Sequence, residues 1–359
     1  MTNVKKTYAS GAVGVSGVDF TIADREFTVV LGESGSGKSS LARVICGLDD
    51  LTEGEIAIDG KVVNDLQPKD RDIALVVKSA GLYPNLNVFD NLSYGLKLRK
   101  TPKEELEDRT YEVARILGLT DVLSRKPKNI SALERQRVCI GRAFARRPKL
   151  IILDDPFTDF GDEARKTLCE DVFKLQKRSG INFIYFTKNP AEALALADRI
   201  IYLEKGKVVC ADTPENVYDS PSTLALARLV GFPPINVFTG CVADAEGLKF
   251  SMNGYLLELD ESLRDGLKDY IGTGRKLQLA VRPEDVSVGE KVYGVLEEIE
   301  TTDKKAFVGF SIYGDSSAHY AVLEKDFVFR KGAEQGFAIN LKWANFFDLE
   351  TEKNILKQS

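Results

Sequence analysis

The chain is nearly without histidine: His319 is the single one in 359 residues. Its five cysteines, Cys46, Cys139, Cys169, Cys210 and Cys241, are scattered and form no C-x-x-C pair. Together these absences exclude the usual zinc patterns and a disulfide framework, and they suit a reducing compartment. No apolar run approaches the length that crosses a bilayer. The opening "MTNVKKTYASGAVGVSG" has no signal-peptide apolar core, so any membrane role is expected to come through a partner. There is no excess of basic residues either. The formal net charge is −5, which argues against nucleic acid as a partner.

What is present fits a globular chain of two domains: 43% hydrophobic and 29% charged residues. Up to about residue 235, short apolar runs alternate with helical patterns. "FTVVLG" (27–32), "DIALVV" (72–77), "KLIILDD" (149–155), "INFIYFT" (181–187) and "RIIYLEKGKVV" (199–209) read as strands. "EGEIAIDGKVV" (53–63) reads as a hairpin turning at Asp59-Gly60. "TPKEELEDRTYEVARILGL" (101–119) reads as an amphipathic helix opened by Thr101 and Pro102. Strands alternating with helices predict an α/β layer architecture. After the Pro-Pro pair at 233–234 the texture changes to short alternating strands such as "KLQLAV" (276–281), "AFVGFSIY" (306–313) and "GFAINLKW" (336–343). These predict a small all-β, barrel-like domain. His319, inside it, is expected at the surface.

"GESGSGKS", Gly32 to Ser39, fits G-x-x-x-x-G-K-[ST] between a strand and the helical "SLARVICGL". Glycines there let backbone N–H groups wrap phosphates, and the helix N-terminus adds positive potential. Lys38 is expected at the β/γ-phosphates and the Ser39 hydroxyl at Mg²⁺. Asp154, ending an apolar strand, is the expected carboxylate for that metal. Asp155 stands where a base for an attacking water would sit. "NISALERQRVCIGRA" (129–143) reads as a helix start in which Ser131 and Glu134 form a capping box.

With these motifs in place the chain resembles the ATPase subunits of ATP-binding-cassette importers, of the sugar and glycerol-phosphate type related to the maltose importer ATPase. The resemblance spans nearly the whole chain, through "LYPNLNVFDNLSYGLKLRK" (82–100), "QRVCIGRAFARRPKLIILDDP" (136–156), "AEALALADRI" (191–200), "PENVYDSPSTLALARLVGFPPINVF" (214–238), "VRPEDV" (281–286) and "FFDLETEKNI" (346–355). It implies a P-loop NTPase cassette over 1–235, with a helical subdomain at about 82–136 that docks on membrane-spanning permease subunits. An OB-type β-barrel regulatory domain would follow over 236–359. It implies ATP and Mg²⁺ at Gly32, Glu33, Ser34, Gly35, Ser36, Gly37, Lys38, Ser39 and Ser40, with Tyr8 stacked on adenine and Ser39 and Asp154 at the metal. It also implies a second cassette subunit, the same chain or a paralogue, an indirect solute-binding protein, and a place on the cytoplasmic face of the membrane.

The chain departs from the family at five places. Lys78 replaces a glutamine whose carbonyl serves water and metal, and lysine has no acceptor. Lys188 replaces the switch histidine, offering a point charge but no shared proton near neutral pH. Asp155 replaces a glutamate and is shorter by about 1.5 Å; a misplacement of that size near chemistry can cost about 100-fold. Gly161 replaces an aspartate that contacts the opposite subunit. The signature L-S-G-G-Q is Ile130, Ser131, Ala132, Leu133 and Glu134. There, Leu133 adds bulk where backbone must approach closely. Glu134 adds a charge that would repel phosphate by roughly 3 kcal/mol at an effective dielectric of about 20 and about 5–6 Å. All five groups touch the γ-phosphate or its water in the family. The expectation is a chain that binds nucleotide and hydrolyses it poorly. Three functions follow: a working importer ATPase, a non-hydrolysing subunit beside a competent paralogue, and a soluble non-transport cassette ATPase. The acidic charge, helical subdomain and β domain oppose the third.

Overall fold

The structure is a computed structural model that describes residues 1–78, 81–315, 317–325 and 330–357. Two compact units divide between Pro214 and Glu215.

The first unit is built on the apolar runs. Every residue of Phe27–Leu31 is buried, as is most of Leu150–Asp154 and Asn182–Thr187. Such continuous burial suits parallel strands covered on both faces. The six-stranded sheet has the order Lys207–Asp212, Arg199–Glu204, Phe27–Leu31, Asn182–Thr187, Leu150–Asp154, Ile73–Val77. All neighbours are parallel except the first two. Those two form an antiparallel hairpin that turns through Lys205 and Gly206, both at positive φ. "RIIYLEKGKVV" is therefore two strands. The register places Leu75 beside Ile152 and Ile152 beside Ile184. Five parallel strands thus end on one rim, from which the segments beginning at Gly32, Lys78, Asp155, Lys188 and Lys205 emerge. In open α/β sheets this carboxyl-end rim is where ligands bind.

Helix Lys38–Cys46 covers one face, burying Leu41, Val44 and Ile45 with Val30, Ile152, Ile184 and Phe186. Its last carbonyls are held by the buried Arg71, which donates to Val44 O at 2.9 Å and Ile45 O at 3.0 Å. A three-stranded antiparallel sheet joins Val13–Val18, Thr2–Thr7 and Glu53–Glu55. The Asp59-Gly60 turn closes the short hairpin Ala57–Ile58 with Lys61–Val62. Helices Val88–Leu98, Lys103–Ile116 and Ala132–Ala145 converge at Gly141. A Cβ there would lie 2.7–2.9 Å from Leu92, Leu117 and Val113, so only glycine allows the approach.

The second unit carries two antiparallel sheets around one core, a barrel-like all-β arrangement. One sheet orders Tyr255–Glu258, Leu248–Met252, Asn236–Asp244, Lys276–Val281 and Asn345–Asp348; the other orders Ala318–Glu324, Lys305–Ile312, Val286–Thr301 and Glu334–Ile339. Alternating inward residues, among them Phe238, Phe250, Phe310, Phe337 and Phe346, fill the core. The segment before residue 235 packs within this unit: Leu224 and Ala227 cluster with Ile235, Ala280 and Phe347, and Arg282 donates to Ala227 O and Tyr218 O. His319 is not at the surface, as expected from sequence. It is 1% exposed, stacked 4.5 Å from Phe238, with Nε2 3.2 Å from Asp315 Oδ2. Inward alternation along its strand overrides its polarity.

Candidate nucleotide site

Gly32–Ser39 leaves the central strand and runs into helix Lys38–Cys46. The turn is tight enough to require its glycines. Gly37 has φ +104°, and a Cβ there would lie 2.2 Å from Gly14 O; Gly35 has φ +83°. The helix starts without a side-chain cap and without an acidic residue in its first turn. Its leading N–H groups therefore keep their potential for an anion.

A cleft of about 420 Å³ opens above this turn. Of the residues picked out by sequence, Tyr8, Ser34, Gly35, Gly37, Lys38, Ser39, Ser40, Asp154, Asp155 and Lys188 line it. Gly32, Glu33 and Ser36 form the turn beneath: the Lys38 ammonium donates to Gly32 O and Glu33 O, each at 2.7 Å, and lies 3.4 Å from Ser36 Oγ. Burial holds the Lys38 ammonium below its ordinary value; Lys188 acts the same way, and Asp154 and Asp155 oppose.

Ser39 Oγ donates to Asp154 Oδ1 at 3.2 Å. Burial raises the Asp154 carboxyl above its ordinary value, the Ser39 hydroxyl opposing and Asp155 adding to the rise. A hydroxyl beside a desolvated carboxylate is a hard oxygen pair suited to Mg²⁺. Among the described residues no group of three or more His, Cys, Asp or Glu is placed to hold a metal. A magnesium ion held by Ser39 and Asp154 would therefore complete its shell with phosphate and water. Asp155 is held in the left-handed region, φ +47°, with its N–H on Phe186 O at 2.9 Å. This uncommon backbone sets its carboxylate at the cleft.

Tyr8 lies with its hydroxyl 3.0 Å from Ser40 Oγ and with the Lys6 ammonium 5.1 Å from its ring centroid. Residues that sequence reasoning missed also line the cleft: Ala12, Val13 and Gly14. A Cβ on Gly14 would lie 2.7 Å from Ser40 Oγ and 2.9 Å from the Tyr8 ring. The glycine-rich "GAVGVSG" was the available signal.

Lys78 does not line the cleft. Its ammonium pairs with Asp159 at 2.9 Å, tying the loop after one strand to the loop before helix Asp162–Ser179. Gly161 is the N-cap of that helix, with open space where a Cβ would stand. On the other side Glu192, buried, accepts from Tyr185 OH and Thr187 Oγ1 at 2.6 Å each. Arg165 lies 3.3 Å from Glu192 Oε1 and donates to Phe160 O at 2.9 Å. The strand end carrying Lys188 and the 157–161 loop are thereby joined through an ion pair whose carboxylate is buried.

Ser131–Glu134 also lie outside the cleft, at the start of helix Ala132–Ala145. The capping box is formed: Ser131 N–H donates to Glu134 Oε2 at 2.7 Å, and Glu134 N–H to Ser131 Oγ at 3.1 Å. The Ser131 backbone donor holds the Glu134 carboxyl below its ordinary value, so it stays ionised.

Residues 15–158 match the ABC transporter family profile. The chain is 35% identical to the oligosaccharides import ATP-binding protein MsmX of Bacillus subtilis, over 99% of this chain and 98% of the relative. It is 34% identical to the multiple sugar-binding transport ATP-binding protein MsmK of Streptococcus mutans, over 98% and 97%. To the sn-glycerol-3-phosphate import ATP-binding protein UgpC of Bordetella avium it is 38% identical, over 85% and 83%. Among solved structures, the ATP-binding cassette MJ0796, a dimer bound to ADP and Pi, superposes with a TM-score of 0.52 at 29% identity, covering 59% of this chain and 97% of that one.

Proposed function

The chain belongs to the ATP-binding proteins of the ABC transporter family, and from that premise we propose that it is the ATP-binding subunit of an import complex with impaired hydrolysis. The solute is a carbohydrate or a related compound such as a glycerol phosphate, as the names of the near full-length relatives suggest. Mg-ATP sits at Gly32–Ser40 with the metal at Ser39 and Asp154. The helical layer around 82–136 docks on membrane-spanning permease subunits at the cytoplasmic face, and a solute-binding protein acts through those permeases. A second cassette subunit completes the dimer.

The observation that carries impaired hydrolysis is the tip of helix Ala132–Ala145. In the proposed dimer this tip meets the γ-phosphate held by the other subunit. Here an ionised Glu134 carboxylate stands on the Ser131 N–H and Leu133 adds bulk beside it, where the intact signature has a neutral glutamine, able to make the same cap, and a glycine. The remaining contacts point the same way. Lys78 is neutralised by Asp159. Among the described residues lining the cleft, Asp155 is the one carboxylate left to order water once Asp154 serves the metal, and it is one methylene short. Lys188 holds a charge rather than a titrating ring.

The second reading, a non-hydrolysing subunit that pairs with a competent paralogue, shares every binding contact and differs only in the dimer. Both are tested by phosphate release from the purified chain, alone and mixed with a paralogue. The chain alone should bind ATP with a Kd between about 1 µM and 1 mM, with turnover at least about 100-fold below the ordinary 10 s⁻¹. Robust release that disappears in Lys38→Ala would refute impaired hydrolysis. Stimulation by the paralogue selects the second reading.

A further inference from the structure

Among the described residues the cleft is lined by two cations, Lys38 and Lys188, and two carboxylates, Asp154 and Asp155, and the four are not equivalent. Asp154 is engaged with Ser39 Oγ, and the Lys38 ammonium with two carbonyls of its own turn. Lys188 lines the same cleft, is exposed, and makes no ion pair among the described residues. Its backbone is nevertheless fixed on both sides. Thr187 is fully buried with its hydroxyl on Glu192, and Asn189 donates its N–H to Thr187 Oγ1 at 3.0 Å while capping helix Pro190–Leu196. Lys188 is thus an exposed ammonium on an anchored base. Lys78, another lysine on this rim, is paired with Asp159 and lies outside the cleft lining.

We propose that Lys188 supplies phosphate-neutralising charge otherwise left to the divalent metal, so that the site keeps nucleoside triphosphate after the metal is removed and prefers triphosphate to diphosphate. The proposal rests on the reading of Gly32–Ser40 as a nucleotide site. An ammonium makes charge-assisted hydrogen bonds to phosphate oxygens as a point charge. It needs no added ion and favours the ligand with the extra phosphate. One such bond to a charged group corresponds to roughly tenfold in affinity.

The test is ATP and ADP affinity of the full chain by calorimetry, in Mg²⁺ and in EDTA, for wild type, Lys188→Gln, Lys188→Arg and Lys78→Gln. Lys188→Gln should deepen the loss of ATP affinity on chelation by roughly tenfold beyond the wild-type loss and should remove the preference for ATP over ADP in EDTA. Lys188→Arg should retain both. Equal losses in wild type and Lys188→Gln overturn the proposal, and so does an effect of the same size in Lys78→Gln. Failure of the wild type to bind ATP even with Mg²⁺ is a different result: it removes the nucleotide-site reading itself.

Discussion

In the proposed nucleotide site Asp154 serves a cation at the expense of the nucleotide-free fold, and Asp154→Asn tests that. The carboxyl is raised above its ordinary value chiefly by burial. Ionising it at neutral pH therefore opposes folding. The sign follows from linkage: the folded state binds the proton more tightly than the unfolded state does. Stability is greatest below the unfolded carboxylate pKa of about 3.9 and falls as pH rises through the folded value. Asparagine has nearly the same shape, keeps an oxygen for the Ser39 hydroxyl, and carries no charge. Substitutions that relieve such functional strain commonly give about 0.5–2 kcal/mol. For a unit of this size each kcal/mol moves the midpoint by about 2–4 °C. Asp154→Asn should therefore melt a few degrees higher than wild type at pH 7.5 in EDTA. The assay is thermal unfolding, following the transition that ATP with Mg²⁺ shifts in the wild type. The gap should narrow as the pH is lowered and the wild-type carboxyl takes up its proton. The Mg²⁺-dependent part of the ATP shift should be lost in the variant. A variant less stable than wild type at pH 7.5 without metal would refute the reasoning, because Asp154 would then be a net stabilising group.

Two further perturbations separate the roles of buried polar groups. Glu192→Gln removes the anion that faces Tyr185, Thr187 and Arg165; Arg165 is half-buried and keeps Phe160 O and an Asp162 contact at 3.2 Å, so the cost should be about 1–3 kcal/mol, the scale of losing a charged hydrogen-bond acceptor. Hydrogen exchange should accelerate in 157–161 and 187–192 together, and protection unchanged in either segment would break the proposed link between them. For His319, burial holds the ring below its ordinary value, with Asp315 opposing. Its contribution is full above the unfolded pKa of about 6.5 and is lost as pH falls through the folded value. His319→Phe should flatten the loss of second-unit stability on acidification from pH 7 to 5, measured by urea unfolding. An unchanged slope would assign that loss to other groups.

What the sequence made legible was local. The phosphate turn, the Asp59-Gly60 hairpin and the Ser131–Glu134 box each depend on residues within a few positions, so spacing alone carries them. The parallel strands were legible because burial on both faces leaves uninterrupted apolar runs. The partners of Lys78 and Glu192 were not legible, since Asp159 and Arg165 reach them only after strands 73–77, 150–154 and 182–187 are laid side by side. Gly14 was hidden for the same reason: its constraint comes from Tyr8 and Ser40 across a strand and a helix. His319 is a different case, because its signal was present. In "AHYAVLE" it shares parity with Ala321 and Leu323, both buried, and period-two alternation places it inside with them.

On the proposed function, the stretch from Asn129 to Ala143 would keep a structural role while losing a catalytic one. A helix start needs its first donors satisfied, and any nearby carboxylate can do this from within the chain. A tip that must receive another subunit's phosphate needs those donors left free and the backbone left bare. The two demands compete for the same N–H of Ser131. A glutamine, as in the family signature, can make the same cap without charge; Glu134 makes it with an ionised carboxylate. In the proposed dimer that charge and the Leu133 side chain, rather than the cap itself, would weigh against efficient hydrolysis.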